Sequence, residues 1–255
     1  MGKDEEGGKG CMLAAMRAGS QDAACFLYDI LGPEGPSDTM SEVMEALSKA
    51  AEDEHPRSMY RMAAALCDGV LVEKDLERAR ELARGAIRIE IPEASALLMR
   101  ILLSIGTEES LSELASLSEG LASRGDGQAG MYYAKALMRC DGIGYDFDKA
   151  EAILKAAMES KVPGSRLLLM RVLWKRGTDE SCAEMVRISR PLVSKRNEKA
   201  LVLVGKAYLY GKGVGRDVDR AVELFKEAEA KNPSLKSELS TLYRRARARK
   251  VDGSM

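Results

Sequence analysis

The sequence has few of the side chains that most often carry metal binding, acid–base catalysis or base stacking. Aromatic residues make up 5% of the 255 residues, and the chain has one histidine, His55, and one tryptophan. A zinc site that needs two or more imidazoles is therefore excluded, and a catalytic histidine could only be His55. The scarcity of aromatic side chains also argues against a helical-repeat nucleic-acid-binding protein, which needs them to stack on bases.

Charge and cysteine content argue against further classes of protein. The 39 basic and 40 acidic residues give a net charge of -1, so we expect no bulk attraction to nucleic acid or to an anionic membrane. No apolar run approaches the length of a membrane span, and we expect no signal peptide in the polar N-terminus. The five cysteines form no Cys-x-x-Cys pair, and we interpret them as reduced thiols of a cytoplasmic protein, with a redox or metal role as the lesser alternative.

What the chain does have is helix-forming residues in a long repeat. Ala, Leu, Met, Arg and Glu are abundant, a mixture that favours helices over strands. Three stretches each start 71 residues after the last: EKDLERARELARGA (73–86), GYDFDKAEAILKAA (144–157) and GRDVDRAVELFKEA (215–228). In each, an aspartate (Asp75, Asp146, Asp217) is predicted to cap a helix start. Two alanines seven residues apart follow it, on one face where a neighbouring helix can approach closely.

Each 71-residue block contains two units of about 35 residues with the pattern helix, turn, helix. A unit of this size cannot bury its apolar face alone, so the sequence predicts an all-α fold, a right-handed α-solenoid of about six stacked helix pairs. The expected divisions are a flexible tail (1–11), the solenoid (12–232) beginning with a partial unit (12–19), a C-terminal capping helix (233–250) and a tail (251–255). Leu235, Leu239 and Leu242 should pack the capping helix against the helix at 218–230.

The stretch YLYGKGVGRDVDRA raises the question of a phosphate site, since glycine-rich loops that open a helix often bind phosphates. A P-loop would need Gly-x-x-x-x-Gly-Lys-Ser/Thr, whereas the lysine here is followed by glycine and valine. A dinucleotide-binding loop needs a preceding strand, and no strand pattern is visible. We interpret Gly211, Gly213 and Gly215 as a structural turn through positive φ, between helices predicted at 199–210 and 218–230.

This region resembles the Sel1-like repeat, a relative of the tetratricopeptide repeats. That pattern has an alanine, a glycine, a tyrosine, Gly-x-Gly-Val and Asp-x-x-Lys-Ala, then an aromatic residue and small residues. The matching residues are Ala200, Gly205, Tyr208, Gly211, Gly213, Val214, Asp217, Arg220, Ala221, Phe225 and Ala228. Residues 129–157 match less closely, with Gly142 and Ile143 present but Ala134 in place of the first glycine, and residues 58–86 match more weakly. The resemblance covers roughly residues 13–232.

The resemblance implies a non-enzymatic scaffold or adaptor that presents a concave groove to a peptide or another protein. We see no catalytic constellation in the sequence, and we predict no catalytic residue, no cofactor and no metal ligand. Two alternatives stay open: a helical-repeat nucleic-acid-binding protein and a regulatory subunit of an enzyme complex. Some cysteine-rich Sel1-like proteins have been credited with catalysis, but this chain lacks their regularly spaced cysteine pairs.

The resemblance also implies which residues face the groove. In tetratricopeptide-like units the first helix of each pair lines the concave face, and the residue after the packing glycine, here Gly205, points into it. The residues at this position in successive units, going back along the chain, are Lys206, Arg171, Lys135, Arg100, Ala64 and Asp29. One turn further along lie Arg139 and Lys175, with Trp174 and Tyr210 as apolar anchors.

Four consecutive units therefore place a cation at one inner position. Such a row predicts an acidic peptide as the ligand, bound by charge-assisted hydrogen bonds and attracted by the local field. The alternative is that the cations are solvated or paired with acidic residues of neighbouring helices, each pair contributing only about 0–1 kcal/mol. The sequence does not predict the oligomeric state.

Overall fold

The structure is a computed structural model that describes residues 2–32, 34–89, 91, 93–139 and 146–252. Within these ranges it consists of α-helices, one short 3-10 helix and connecting turns, without a strand. The all-α repeat fold predicted from the sequence is confirmed. The chain divides into two compact units, Met1–Leu117 and Ser118–Met255.

The first unit contains helices α1 to α6 and the first part of α7. Their bounds are α1 Gly2–Arg17, α2 Gln21–Leu31, α3 Ser37–Glu52, α4 Pro56–Asp68, α5 Leu76–Arg88, α6 Ala94–Ile105 and α7 Glu108–Ala122. The second unit contains the rest of α7 and seven further helices. These are α8 Gly127–Leu137, α9 Phe147–Glu159, α10 Ser165–Arg176, α11 Asp179–Ser194, α12 Glu198–Tyr210, α13 Val218–Lys231 and α14 Lys236–Asp252. Consecutive helices contact one another from α1 to α6 and from α8 to α14, as stacked helix pairs require.

The three repeated aspartates cap the helices that follow them, as predicted. Oδ1 of Asp75, Asp146 and Asp217 accepts a hydrogen bond from the backbone N–H three residues later, over 3.0, 2.8 and 2.9 Å. A carboxylate at this place satisfies an N–H that has no partner within the helix, and it lies at the positive end of the helix dipole. The caps begin α5, α9 and α13.

The glycine-rich turn between α12 and α13 is structural. Both helices lie within one residue of the bounds predicted for them. Gly211 and Gly213 have positive φ of 65° and 68°, while Gly215 lies outside the left-handed region. A Cβ on Gly213 would come within 2.1 Å of the backbone nitrogen of Ala183, so the turn lies directly against the start of α11. The corresponding Gly142 lies outside the described residues, as does Ile143.

Small residues let the paired helices approach closely. A Cβ on Gly205 would lie 2.5 Å from Cε1 of Phe225, so glycine at this position leaves room for the aromatic ring. The repeated alanines of the second helices are also buried: Ala79, Ala86, Ala150, Ala157, Ala221 and Ala228. Both observations agree with the close packing predicted for these positions.

The N-terminal segment differs from the predicted flexible tail at 1–11, because α1 is helical from Gly2. The segment contains no proline, the residue that would interrupt a helix most strongly. The same helix continues through the predicted partial unit at 12–19 as far as Arg17, where Met16 is buried.

At the C-terminus, the predicted capping segment begins with a 3-10 helix at Pro233–Leu235, and α14 extends to Asp252, beyond the expected start of the tail. Leu239 and Leu242 are buried, whereas Leu235 is half-buried. Tyr243 meets Phe225 edge to face with 6.0 Å between the ring centroids, so α14 covers α13.

Candidate functional site

Seven of the eight residues predicted to bind a partner lie in the second unit, on the first helices of successive pairs. We call α8, α10, α12 and the capping helix α14 the first-helix row. Its predicted residues are Lys135 on α8, Arg139 just after α8, Arg171, Trp174 and Lys175 on α10, and Lys206 and Tyr210 on α12. The eighth residue, Arg100, lies on α6 in the first unit.

Direct contacts join neighbouring helices of the first-helix row. Lys175 Nζ donates to the carbonyl oxygen of Met138 over 2.5 Å, which links α10 to the end of α8. The rings of Trp174 on α10 and Tyr210 on α12 have centroids 6.3 Å apart. Arg245 of α14 donates to the Tyr210 hydroxyl over 2.7 Å. These contacts bring Trp174 and Tyr210 together and join Lys175 to the end of α8.

Trp174 and Tyr210 help to form an open pocket of about 510 Å³ on this surface. The lining residues are Trp174, Lys206, Tyr210, Glu238, Thr241, Leu242 and Arg245. Lys212 adds positive charge nearby, with Nζ 5.8 Å from the centroid of the Trp174 ring. Tryptophan, tyrosine and arginine are the residue types most enriched among the dominant contacts of protein interfaces. The pocket thus has the composition of a contact site.

Lys212 and Glu238 were not among the predicted contact residues, whereas Arg245 belongs to the basic end of the capping helix, for which the sequence suggests a contact with acidic protein or nucleic acid. A signal for Glu238 was present, because it follows the predicted Lys206 by 32 residues, close to the length of one unit. The helix register alone could not indicate that the capping helix would contribute to the pocket, because α14 belongs to no complete repeat unit.

Two of the predicted cations are paired with carboxylates of a neighbouring helix. Arg100 Nη1 and Nη2 donate to the two carboxylate oxygens of Asp68 over 2.7 and 3.2 Å. Lys206 Nζ lies 3.3 Å from Oε1 of Glu238. These ion pairs are partly exposed, and each contributes about 0–1 kcal/mol. For Arg100 and Lys206, the structure agrees with the alternative of pairing within the protein.

Lys135 and Arg171 lie in a different electrostatic environment. Across the described part of the chain, neither has a carboxylate partner. Lys135 is half-buried, with Nζ 4.5 Å from the centroid of the Tyr132 ring, and Arg171 is exposed. Burial lowers the pKa of Lys135, and the positive charge of Arg171 lowers that pKa further. The two cations are therefore close enough to repel each other.

One group of residues near the start of α4 has the residue types of a catalytic triad. Ser58 Oγ lies 2.8 Å from His55 Nδ1, and His55 Nε2 lies 3.6 Å from Asp22 Oδ1. Ser58 Oγ also lies 3.3 Å from Cys25 Sγ, but both side chains are fully buried, so a substrate could not reach either nucleophile. Burial raises the pKa of the Cys25 thiol. His55 accepts the backbone N–H of Ser58 as the N-cap of α4, which is a structural role.

A second pocket, of about 370 Å³, lies among α7, α8 and α9 in the second unit. Lys149 Nζ at its edge bonds to Glu119 Oε1 over 2.8 Å and lies 4.9 Å from the centroid of the Tyr133 ring. The hydrogen bond from Lys149 lowers the pKa of Glu119, while burial raises the pKa of Tyr133. This arrangement is an ion pair between helices and offers no activated nucleophile.

The described residues provide neither a metal site nor a membrane-spanning helix. Where the structure describes the chain, no three His, Cys, Asp or Glu side chains are grouped as a metal site would require. None of the described helices is both long enough and apolar enough to cross a lipid bilayer.

Comparison with known families and structures identifies the repeat. Residues 56–88, which span α4 and α5, and residues 198–233, which span α12 and α13, match the model of the Sel1 repeat. The chain therefore contains Sel1 repeats in these two segments. No curated protein matches the sequence.

Two of the solved structures that match the chain are an antigen and a Sel1 repeat protein. One is c5321, described as a protective antigen present in uropathogenic Escherichia coli strains displaying an SLR fold; its TM-score is 0.63 at 17% identity, over 86% of this chain and 48% of that one. The other is a Sel1 repeat protein from Oxalobacter formigenes, with a TM-score of 0.48 at 17% identity, over 86% of this chain and 64% of that one. The chain thus spans about half the length of c5321, and the similarity to c5321 supports the fold.

Proposed function

We propose, on the premise that the chain is built with Sel1 repeats, that it is a non-enzymatic scaffold or adaptor that binds a protein or peptide on the first-helix row. Sel1 repeats generally mediate protein–protein interactions. The observation that carries the proposal is the open pocket beside Trp174 and Tyr210, with Lys206 and Arg245 in its lining. An aromatic pair flanked by cations provides both apolar area and directed hydrogen bonds to a partner.

The partner that fits this surface is acidic. Lys135 and Arg171 lie on the same row and have no carboxylate partner among the described residues. Lys212 lies over the Trp174 ring, with Nζ 5.8 Å from the ring centroid. Such a local excess of positive charge on a chain with a net charge of -1 favours the approach of an acidic segment.

The compartment that we propose is the cytoplasm. Cys25, Cys67 and Cys182 are free and buried, and free thiols are typical of reducing compartments. Burial raises the pKa of each of these thiols, which disfavours the reactive thiolate. These cysteines therefore fit a role in packing rather than in chemistry.

The proposal can be tested by affinity capture with the full chain and two matched aromatic variants. Trp174→Ala removes the wall of the pocket, whereas Phe26→Ala removes an exposed aromatic side chain of α2 in the first unit. We expect the unaltered protein and Phe26→Ala to retain a stoichiometric protein partner, identified by mass spectrometry, and Trp174→Ala to lose it. Circular dichroism should show the same helix content in all three proteins.

Other outcomes would favour the alternatives. Recovery of RNA or DNA in place of a protein would favour a helical-repeat nucleic-acid-binding protein, for which the exposed Arg244 and Arg247 of α14 add basic side chains next to Arg245. Recovery of an enzyme whose rate changes on binding would favour a regulatory subunit. Equal capture by Trp174→Ala and the unaltered protein would contradict the proposed surface.

A further inference from the structure

We propose that the space between the last turn of α8 and Arg171 of α10 binds a carboxylate side chain of an acidic protein partner. This inference rests on the proposed function, and it specifies one position on the first-helix row and one chemical group. The external carboxylate would take the place that an internal carboxylate occupies between other first helices of the same chain.

Ion pairs at a constant spacing link three pairs of neighbouring first helices in this protein, whereas α10 and α12 contact each other through Trp174 and Tyr210. Asp29 of α2 pairs with Arg61 of α4 over 2.6 Å, and the two residues are 32 apart in the chain. Asp68 and Arg100 repeat this spacing between α4 and α6, over 2.7 Å. Lys206 of α12 and Glu238 of α14 repeat it again, with the charges reversed. Each of these steps contains one cation and one carboxylate.

The step from α8 to α10 departs from this arrangement. Arg171 comes 71 residues after Arg100, in the register of the repeat, and the residue 71 after Asp68 is Arg139. The hydrogen bond from Lys175 Nζ to the carbonyl oxygen of Met138 shows that α10 lies against the end of α8. In the register of the repeat, the position that holds the acidic Asp68 in the step to Arg100 is therefore basic in the step to Arg171.

Two cations, Arg171 and Lys135, lie close to each other beside this place. Arg171 is exposed and has no carboxylate partner within the described residues, and Lys135 is close enough for the charge of Arg171 to lower its pKa. Two adjacent cations destabilise each other, and an anion between them removes that repulsion. A guanidinium also binds a carboxylate with two parallel hydrogen bonds, the geometry already seen between Arg100 and Asp68.

A carboxylate is the anion that the protein itself selects at this spacing. Asp29, Asp68 and Glu238 each supply the carboxylate of a pair with this spacing, and Asp68 is the one in the register of Arg139. Trp174 lies one helical turn from Arg171, so an acidic residue bound there would bring its neighbours in the partner onto the aromatic pocket. The expected ligand is therefore an acidic segment that also carries an apolar side chain.

The sharpest test is to supply the missing carboxylate from within the chain. Arg139→Asp places an acid 32 residues before Arg171, the spacing of the pair between Asp68 and Arg100. An internal ion pair should then compete with the ligand. Arg190→Asp, at an exposed position on α11, changes the net charge by the same amount and serves as the control.

Binding can be followed through the fluorescence of Trp174, which is the one tryptophan of the chain. The probe is a short synthetic peptide rich in Glu and Leu, with a Gln-for-Glu peptide as its uncharged match. We expect the Glu peptide to bind the full chain, Arg139→Asp to weaken that binding about tenfold, and Arg190→Asp to change it less than about twofold. Added salt should weaken the binding, and the Gln peptide should bind poorly.

The outcomes separate this inference from the proposed function. If Arg139→Asp binds the Glu peptide as the unaltered protein does, with unchanged helix content, the carboxylate position is wrong. The proposed scaffold function would still be supported if Trp174→Ala failed to capture the partner. A single-stranded oligonucleotide of matched charge provides the comparison with phosphate. If it bound the unaltered protein more tightly than the peptide did, and if Arg139→Asp abolished that binding, the assignment to a carboxylate would be overturned in favour of phosphate.

Discussion

The two segments that match the Sel1 repeat, residues 56–88 and 198–233, reach the same backbone with different side chains. Asp75 and Asp217 cap the second helix in each by the same hydrogen bond. Gly69 and Gly211 end the first helix with φ of 67° and 65°. Local interactions at the helix ends therefore determine the backbone conformation that the two segments share, and the other side chains can differ.

The first difference lies between the paired helices. In the second segment Gly205 faces Phe225. The corresponding residues of the first segment, 142 positions earlier, are Ala63 and Ala83, and both are buried. Glycine at position 205 thus leaves room for the large ring of Phe225, whereas the first segment has two small side chains at the corresponding positions. The ring at position 225 therefore requires glycine at position 205, whereas the small Ala83 leaves room for Ala63.

The second difference lies in the turn. Gly213 has φ of 68°, and Leu71, at the equivalent position, has φ of 66°. Gly213 lies against the backbone of α11, whereas the Leu71 side chain is 42% exposed. A side chain in the left-handed region is strained in both places, but only beside α11 would it also meet another helix.

The largest expected effect tests that contrast in the turn. Gly213→Ala places a Cβ 2.1 Å from the backbone nitrogen of Ala183 and adds left-handed strain. We expect the free energy of unfolding to fall by about 3 kcal/mol, measured by denaturant unfolding. Gly125→Ala is the matched control, because Gly125 has φ of 92° with no atom near its Cβ direction, and it should lose only about 1–2 kcal/mol. Equal losses would mean that strain alone, without packing, explains Gly213.

A smaller effect tests whether position 205 requires glycine because the Phe225 ring is large. Gly205→Ala would bring a Cβ within 2.5 Å of the Phe225 ring, and we expect a loss of about 2 kcal/mol. Adding Phe225→Ala recreates the pair Ala63 and Ala83 of the other segment, so the cost of Gly205→Ala should disappear in the double variant. A double-mutant cycle of unfolding free energies measures this coupling. Strictly additive losses would contradict the proposed compensation.

The smallest effect concerns the exposed turn of the first segment. Leu71→Gly removes left-handed strain but makes the unfolded chain more flexible, so we expect a net gain in unfolding free energy of less than about 1 kcal/mol. Val70→Gly, at a neighbouring exposed residue without positive φ, relieves no strain and should give no gain. Thermal unfolding of both variants distinguishes the two cases, and a clear loss for Leu71→Gly would show that this side chain stabilises the fold.

Much of the fold was accessible from the sequence because its signals are local. The capping aspartates act on N–H groups three residues away, and the bounds of α12 and α13 follow from apolar periodicity and the glycines between them. The candidate surface was only partly accessible. Register placed Lys135, Arg171 and Lys206 on equivalent positions, but whether each cation meets a carboxylate depends on another helix.

The sequence by itself determined helices α12 and α13, the three aspartate caps and the turn glycines, since each depends on residues within a few positions of one another. It also determined the repeat register, because similar stretches recur every 71 residues. Only the tertiary structure decided which cations are neutralised and which small residues are required. Asp68 reaches Arg100 across 32 residues, and the Ala183 backbone excludes a side chain at Gly213. Both constraints come from groups on a neighbouring helix, whose distance and direction are set only when the helices stack.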